Sequence, residues 1–448
     1  IMRRTINLKK GLNMRLEGAL NGDENAVKII PQTIAIEPDD FPGFTPKLDV
    51  KEGDTVQAGS PLMHDKTTPA IKLVSPLSGK VTGIVRGARR KIERVIVTAE
   101  ATAEVNDMTA TPVAMQPEAI REALQASGLW AMMRRRPYDI IPCEGDSPRD
   151  IFVTAFDSAP LAPSLEVMVS GMTMEIAKGV EALKLFTTGN IYIGVPEGST
   201  MPDIPGAEII QYTNLHPAGN VGVQIAAIAP VNKGETVWTL DIVTLAHIGS
   251  LVMTGSYPHT VTVALTGGEL KSPRLVETLP GAPLSLLLDG DIKDDGRHHR
   301  IISGNILTGT PEGIDGYLRY PYRQVTVIPE GDDTDEFMGW ASLSPAKMSE
   351  SPSFLSRLLG RRHNPDARLH GGRRAMIMSE VYDKYIPMDI VPEYLIKAIL
   401  ARDIDRMEAL GIYEVAPEDF ALAEYADPSK LELQRIVREG LDYMRSEV

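Results

Sequence analysis

Cysteine is nearly missing from this sequence: Cys143 stands alone among 448 residues. A single thiol excludes an internal disulfide, and with it any iron–sulfur cluster or zinc centre built from several cysteines of this chain. No run of about eighteen apolar residues occurs, so no segment is fitted to cross a bilayer as a helix. Positive charge is in deficit, with 46 lysines and arginines against 60 aspartates and glutamates and a formal charge of -14. Neutralising phosphates needs a basic face, so this balance argues against a nucleic-acid partner. The start, Met2-Arg3-Arg4-Thr5-Ile6-Asn7-Leu8-Lys9-Lys10, lacks the apolar core of a secretory signal. A chain kept in a reducing cytoplasm is the expectation.

Phosphate-cradling turns are missing as well. No G-x-G-x-x-G opens a helix, and there is no G-x-x-x-x-G-K-S/T, H-E-x-x-H or G-x-S-x-G. A dinucleotide enzyme uses such a glycine-rich turn to bring a pyrophosphate against backbone N–H groups. Nucleotide hydrolysis, zinc peptidase and elbow-serine chemistry lack their usual parts in the same way.

What is present divides into four parts, and the length alone suggests three or four domains. Residues 1–105 carry short strands punctuated by Gly53, Gly59 and Gly79, and a Thr-, Ala- and Pro-rich stretch at Asn106–Gln116 marks a boundary. Within 106–257, Pro117 opens a helix predicted over 117–127, which Gly128 ends. The apolar run Ile151–Phe156, the helical spacing of Ile176, Val180 and Leu183, and a strand at Asn190–Val195 predict a βαβ unit in a mostly parallel sheet. A helical stretch from Thr239 to Met253 closes that part. Residues 258–330 read as a small α+β domain with strands at His259–Leu265, Leu284–Leu288 and Gln324–Ile328. The last part, 331–448, opens with an irregular crossing and ends in helices. The final helix is predicted to start at Asp427-Pro428, with Leu433, Ile436, Val437, Leu441 and Met444 on one face.

Two histidine features stand out. The pair His298-His299 follows Asp294-Asp295-Gly296-Arg297. Adjacent side chains diverge and no third ligand has usable spacing, so an exposed turn is expected and no metal is assigned. His216, in Asn214-Leu215-His216-Pro217-Ala218-Gly219, belongs either to a structural turn or to a cleft at the end of a sheet strand.

Resemblances to known folds follow the same divisions. Gly53-Asp54, Gly59-Ser60-Pro61-Leu62 and Pro76-Leu77-Ser78-Gly79 resemble a lipoyl/biotinyl-type barrel sandwich. Carrier relatives of that fold place a modified lysine at a hairpin tip. Here the tip falls near Thr67-Thr68-Pro69, with neither Lys66 nor Lys72 in place, so the resemblance implies a structural module. Residues 106–257 resemble the Rossmann-like flavin- and NADH-binding fold of the complex I dehydrogenase subunit. Where those relatives carry a glycine-rich loop, this chain reads Ser127-Gly128-Leu129-Trp130-Ala131-Met132-Met133-Arg134-Arg135-Arg136-Pro137-Tyr138, whose bulk is expected to block a cofactor pocket. Residues 258–330 resemble a β-grasp, soluble-ligand-binding module. Residues 331–448 resemble the relatives' helical iron–sulfur domain, although Phe420 to Lys430 holds none of its cysteines.

Lys9-Lys10-Gly11-Leu12-Asn13, Trp130 to Pro137, Phe152 to Asp157, His216 to Gly219, Glu418 to Leu422 and Pro428-Ser429-Lys430 together resemble one family. It is the A-subunit family of the bacterial sodium-translocating NADH:quinone oxidoreductase, NqrA. The resemblance implies a peripheral subunit on the cytoplasmic side of the inner membrane, within a translocase that passes electrons from NADH to quinone and exports sodium. It implies no catalytic residue, metal or redox cofactor in this chain. FMN, riboflavin, FAD and iron–sulfur centres are expected in partner subunits, of which the chief one is membrane-embedded. Trp130, Met133, Arg134, Arg135, Arg136 and Tyr138, with His216, are the candidate contacts to quinone or partner. Methionine and aromatic surface suits an apolar ring, and arginine can donate to a quinone carbonyl or pair with carboxylates. A solvated arginine run in a helix-to-loop segment is the other reading of the same residues. Two rival classes remain: a flavin-dependent NADH dehydrogenase component of a related ferredoxin-linked membrane complex, and a carrier with a modified lysine.

Overall fold

The computed structural model describes residues 3–22, 25–100, 111–332, 347–350, 354 and 361–447. Its central sheet has six strands in the order Arg4–Ile6, Glu208–Tyr212, Ile191–Pro196, Ile151–Thr154, Val237–Asp241, Arg134–Arg136. All pairs run parallel except the last, in which Arg134–Arg136 lies antiparallel on Val237–Asp241. Strands buried on both faces read as continuous apolar runs, and Ile151-Phe152-Val153 is such a run. Ile151 and Val153 face the helices Thr173–Leu183 and Ile242–Thr254, while Phe152 packs on the other side with Tyr192, Tyr212 and Ile225 of helix Val221–Ile228. The first two helices approach closely because glycine is at the contact: a Cβ on Gly249 would lie 1.7 Å from the Glu175 carbonyl oxygen. From Ile151–Thr154 the chain builds outward to one side, then crosses back to add Val237–Asp241 on the other. The order therefore reverses between these two strands, which is where open α/β sheets leave a crevice beyond their carboxyl ends.

Two small antiparallel sheets make the N-terminal module: Thr33–Ile36, Ile92–Thr98, Gly79–Arg86 and Thr55–Val56 in one, Pro46–Leu48, Pro61–Asp65 and Lys72–Val74 in the other. Ile34, Leu62, Met63, Val81, Val95 and Val97 are buried within it. Not all of 1–105 belongs to this module. Arg4–Ile6 is lent to the central sheet, and Val27–Lys28 pairs with Arg274–Thr278 of the third domain. At the expected hairpin tip the buried Asp65 accepts hydrogen bonds from the Thr67 and Thr68 N–H groups at 2.9 and 2.8 Å. Residues 106–110 of the boundary expected at 106–116 lie outside the described residues, as does much of the crossing expected between 330 and 374.

Helix Pro117–Ser127 stands as the sequence predicts, ended by Gly128 at φ 85°. Three other expectations need correction. The stretch from Thr239 is not helical at its start: Val237–Asp241 is a strand, and Asp241 then caps helix Ile242–Thr254 by accepting from the Thr244 N–H at 2.6 Å. Leu284–Leu288 is no strand but a helical turn, Leu284–Leu287, with Leu284, Leu287 and Leu288 buried and Leu286 exposed. That is a helical spacing, and a short apolar run cannot be assigned from periodicity alone. The last helix begins at Leu433, not at Asp427-Pro428. The Asp427 carboxylate instead closes a turn, accepting from Ser429 and Leu431 N–H groups at 3.1 and 2.8 Å, with Lys430 at φ 58°. The expected apolar face of that helix is buried as read.

The third domain is a mixed six-stranded sheet in the order Thr310–Glu312, His299–Ser303, Gln324–Pro329, Val261–Thr266, Arg274–Thr278, Val27–Lys28. The C-terminal helices Pro392–Ala401, Ile404–Ala409, Ala421–Ala426 and Leu433–Glu447 pack a separate core that reaches Val223 of the central domain. Among the described residues no helix is long and apolar enough to cross a membrane.

Candidate functional site at the carboxyl edge of the central sheet

Beyond Thr154 and Asp241, where the strand order reverses, lies a cleft of about 230 Å³ shared by three domains. The central domain supplies Asp157, His216 and Asn220, the third domain Tyr322 and Arg323, and the helical domain Glu418. Arg323 closes the crevice from the third domain by pairing with Asp241 at 2.9 Å. Burial opposes ionisation of Asp241, but Arg323 and the Thr244 N–H outweigh it and hold its pKa below the usual value. Gln324 Nε2 donates to the Pro160 carbonyl at 3.1 Å, tying the loop after Thr154 to the same strand.

His216 is buried at 3% exposure and forms one wall. Its Nδ1 lies 3.0 Å from Ser158 Oγ, which in turn accepts from the Gly219 N–H at 2.7 Å. Nε2 is buried without a hydrogen-bond partner among the described residues. Burial lowers its pKa to about 4, so the ring is neutral at neutral pH. The loop is pinned from the chain's start. The Leu12 N–H donates to the His216 carbonyl at 2.8 Å, Asn13 Oδ1 accepts from the His216 N–H at 2.8 Å, and a Cβ on Gly11 would lie 2.1 Å from that carbonyl oxygen. Two segments about 200 residues apart in sequence thus form one structure, a pinned turn whose His216 side chain also lines the cleft.

Helix Val221–Ile228 points its N-terminus toward this region, and such an end favours an anion. The chain supplies one itself. A Cβ on Gly222 would lie 2.5 Å from Asp419 Oδ2, so the Asp419 carboxylate rests directly against the helix's first turn. Asp419 is fully buried and accepts from the Ala416 N–H at 2.8 Å, and Asn220 Nδ2 donates to the Glu418 carbonyl at 3.1 Å. Arg136, 2% exposed, completes the cluster with Glu418 at 3.1 Å, Asp139 at 3.5 Å and Asp419 at 3.6 Å. Burial pushes both the Glu418 and Asp419 carboxyl pKa values up; their mutual repulsion adds to this for Glu418, while Arg136 pulls both back down. Burial disfavours the Arg136 charge, and the three carboxylates more than restore it.

The run expected to contact quinone or a partner is dispersed by the structure. Trp130 and Met133 are fully buried. Trp130 donates through Nε1 to the Pro142 carbonyl at 2.8 Å and meets Trp238 edge-on at 5.3 Å, beneath the sheet and away from the cleft. Along the edge strand the arginines diverge. Arg134 reaches the Asp40 carbonyl of the N-terminal module at 3.0 Å, Arg135 pairs with Asp146 at 2.9 Å, and Arg136 turns to the helical domain. Tyr138 packs edge-on with Tyr413 at 6.3 Å, and its carbonyl accepts from Arg438 at 2.7 Å. Of this set His216 lines the cleft, and Arg136 meets it through Glu418. The residues that sequence reading passes over are Asp241, Arg323 and Asp419. Their signal is weak: a Glu-Asp pair before an apolar stretch, and an Asp in the N-cap position of a helix whose start the sequence misplaces.

The cleft and its three contributing domains define a multidomain α/β protein whose sheet-edge crevice is lined by its own charged side chains. Comparison with known proteins narrows the class. Three family models match: an NqrA N-terminal barrel-sandwich hybrid domain over residues 6–100, an NqrA second alpha/beta domain over 115–257, and an NQRA C-terminal domain over 262–311. Proteins named as the A subunit of Na(+)-translocating NADH-quinone reductase from Pasteurella multocida and Serratia proteamaculans are 33% and 34% identical, each across 99% of this chain and 100% of their own length. The one from Rhodopirellula baltica is 34% identical over 98% of both chains. A solved NAD+-reducing [NiFe]-hydrogenase, air-oxidized, aligns at TM-score 0.38 and 12% identity over 75% of this chain and 62% of that one. The chain belongs to the A-subunit family of Na(+)-translocating NADH-quinone reductase, NqrA.

Proposed function

We propose that this chain is the peripheral A subunit of a Na(+)-translocating NADH-quinone reductase, assembling with the other subunits and contributing to quinone reduction without holding a redox cofactor. In this reading the second domain is Rossmann-like and the third β-grasp-like. FMN, riboflavin, FAD and iron–sulfur centres belong to partner subunits, the chief partner is membrane-embedded, and the chain lies on the cytoplasmic face of the inner membrane. One observation carries the cofactor-free part: the Asp419 carboxylate rests at the N-terminus of helix Val221–Ile228, fixed by the buried Arg136. A cofactor phosphate entering there would have to displace a buried carboxylate that already occupies the helix end and accepts from the Ala416 N–H. The single Cys143 cannot supply the thiolates of a cluster. Of the candidate contact run, Arg134, Arg135 and Tyr138 retain exposed surface, so contact with quinone or a membrane partner is assigned to those three and to the His216 cleft.

Titration of the purified chain with FMN and with NADH, followed by flavin fluorescence and calorimetry, tests the reading. A colourless protein with no saturable binding is expected. One-to-one binding of either molecule would overturn the cofactor-free role, and a chain that runs alone when membranes are solubilised would overturn the assignment to a complex.

A further inference from the structure

The third domain brings together three side chains that sequence spacing does not connect. Glu269 follows strand Val261–Thr266, Asp295 lies in the loop after the Leu284–Leu287 turn, and His299 opens strand His299–Ser303. One ligand atom from each lies within 4.8 Å of the others. Glu269 Oε2 is 3.1 Å from His299 Nδ1, and Asp295 Oδ1 is 3.7 Å from His299 Nε2.

Glu269 is only 2% exposed. Its Oε1 accepts a hydrogen bond from Asn364 Nδ2 at 2.6 Å, but its Oε2 is buried and has no aligned donor among the described residues. His299 Nδ1 is likewise buried without a hydrogen bond, although the two atoms face each other. Leaving a buried polar group unsatisfied costs about 1–3 kcal/mol, and more for a charged one. A cation between them satisfies both atoms at once. Ligands about 2.0–2.1 Å from a tetrahedral zinc stand roughly 3.3 Å apart, a value that Glu269 Oε2 and His299 Nδ1 nearly meet, while the Asp295 carboxylate, nearer the other ring nitrogen, joins them by a swing of its exposed loop. The frame is set independently of any ion: the Lys293 N–H donates to the Glu269 carbonyl at 3.0 Å and the Lys271 N–H to the Asp291 carbonyl at 2.8 Å. Asn364, on the buried carboxylate, has the place of an orienting outer group.

We propose that Glu269, Asp295 and His299 form a binding site for a divalent transition-metal ion of the zinc class, with water completing the coordination on the side where Asp295 meets solvent. The imidazole selects against magnesium and calcium, which take oxygen ligands. Bound there, the ion ties the loop carrying Asp295 to the third sheet.

Zinc chloride is the probe. The purified full chain, dialysed against it and analysed for metal, is expected to retain one zinc per chain, and a magnesium excess is expected to leave that zinc in place. Glu269→Gln and His299→Ala should lose it, while His298→Ala and Cys143→Ser should keep it. Asp295→Asn, on a partly exposed loop side chain, leaves the fold intact and should weaken zinc binding at least about tenfold. No stoichiometric zinc in the parent chain, equal zinc in all variants, or displacement by magnesium would each overturn the proposal.

Discussion

Arg319 and Arg136 both carry charge from one domain into the carboxylates of another, yet they are satisfied very differently. Arg319 Nε donates to Asp40 Oδ1 at 2.7 Å and Nη1 to Glu312 Oε1 at 3.0 Å, with Glu37 3.1 Å away, and Asp40 Oδ2 accepts in addition from the Tyr320 N–H at 3.0 Å. Among the described residues, only the contact to Glu418 is an aligned hydrogen bond around Arg136, and Arg136 Nε, Arg136 Nη1 and Asp419 Oδ1 are buried without one. Well-satisfied buried networks fix structure, whereas departures from satisfaction collect at functional places. The first is a clamp between the N-terminal module and the third domain in which each Arg319 nitrogen faces a carboxylate, although Glu37 Oε1 is buried without a hydrogen bond among the described residues. The second sits beside the cleft, at the helix end where an anion belongs.

The largest effect should come from breaking the clamp. Arg319→Met strips three carboxylates of a charged partner and should cost about 3–5 kcal/mol in urea denaturation. Arg136→Met forfeits one aligned hydrogen bond and relieves two unsatisfied nitrogens but leaves Asp139, Glu418 and Asp419 without their cation; the already raised Glu418 and Asp419 carboxyls can take up protons in response, so a smaller loss of about 1–3 kcal/mol is expected. If Arg136→Met proves the more damaging, the contrast between clamp and site is wrong.

Acid should act on the cleft in a predictable direction. His216 titrates at about 4 in the folded chain against 6.5 ordinarily, so below pH 6.5 the unfolded chain binds the extra proton. Its share of stability is complete above pH 6.5, falls as pH drops, and levels off once the folded value is passed. A difference of that size corresponds to about 3 kcal/mol. His216→Gln should flatten this acid slope between pH 6.5 and about 4, measured by denaturation at stepped pH. An unchanged slope would mean that water reaches the ring.

The sequence shows those features that local chemistry decides. Pro117 and Gly128 bracket a helix because one suits a first turn and the other takes a left-handed φ. Ile151-Phe152-Val153 reads as a two-sided strand because both faces are covered. Where local signals compete, reading fails: Asp427 has the chemistry of a helix cap but commits its carboxylate to a turn, and the leucines near 284–288 fit either period. The site is harder still. The bulk after Gly128 suggests a blocked cofactor pocket, but Trp130 and Met133 fill the core, and what rests at the helix end is Asp419, from a distant part of the chain. Third ligands arise in the same way: no spacing rule connects Glu269 to His299. Pairing between distant segments is a property of packing, and a single sequence does not display it.

A smaller effect tests whether Asp419 touches the helix end. Alanine in place of a helical glycine ordinarily gains about 1 kcal/mol. At Gly222 the added Cβ would meet the Asp419 carboxylate at 2.5 Å, so Gly222→Ala should lose about 1–2 kcal/mol instead. In Asp419→Ala that penalty should vanish, giving a coupling measurable in a double-mutant cycle. Additive losses would place the carboxylate away from the helix.

The smallest expected change concerns the proton on Glu418, because 39% of that side chain is still open to solvent. Its carboxyl is raised by burial first and by the charge of Asp419 second, with Arg136 opposing both. A raised carboxyl pKa means that the folded chain holds its proton longer than the unfolded chain does. The stability it lends is therefore present in acid and is lost as pH rises through the folded value. Asp419→Asn removes the like charge without emptying the space at Gly222, so Glu418 should titrate lower, as followed by carboxyl-carbon NMR. The Arg136 to Glu418 pair should then tighten, since the arginine divides its charge between two carboxylates instead of three. Should Glu418 titrate unchanged in that variant, solvent screening dominates at the cleft, and the under-satisfied cluster would differ from the Arg319 clamp only in its hydrogen bonds and not in its electrostatics.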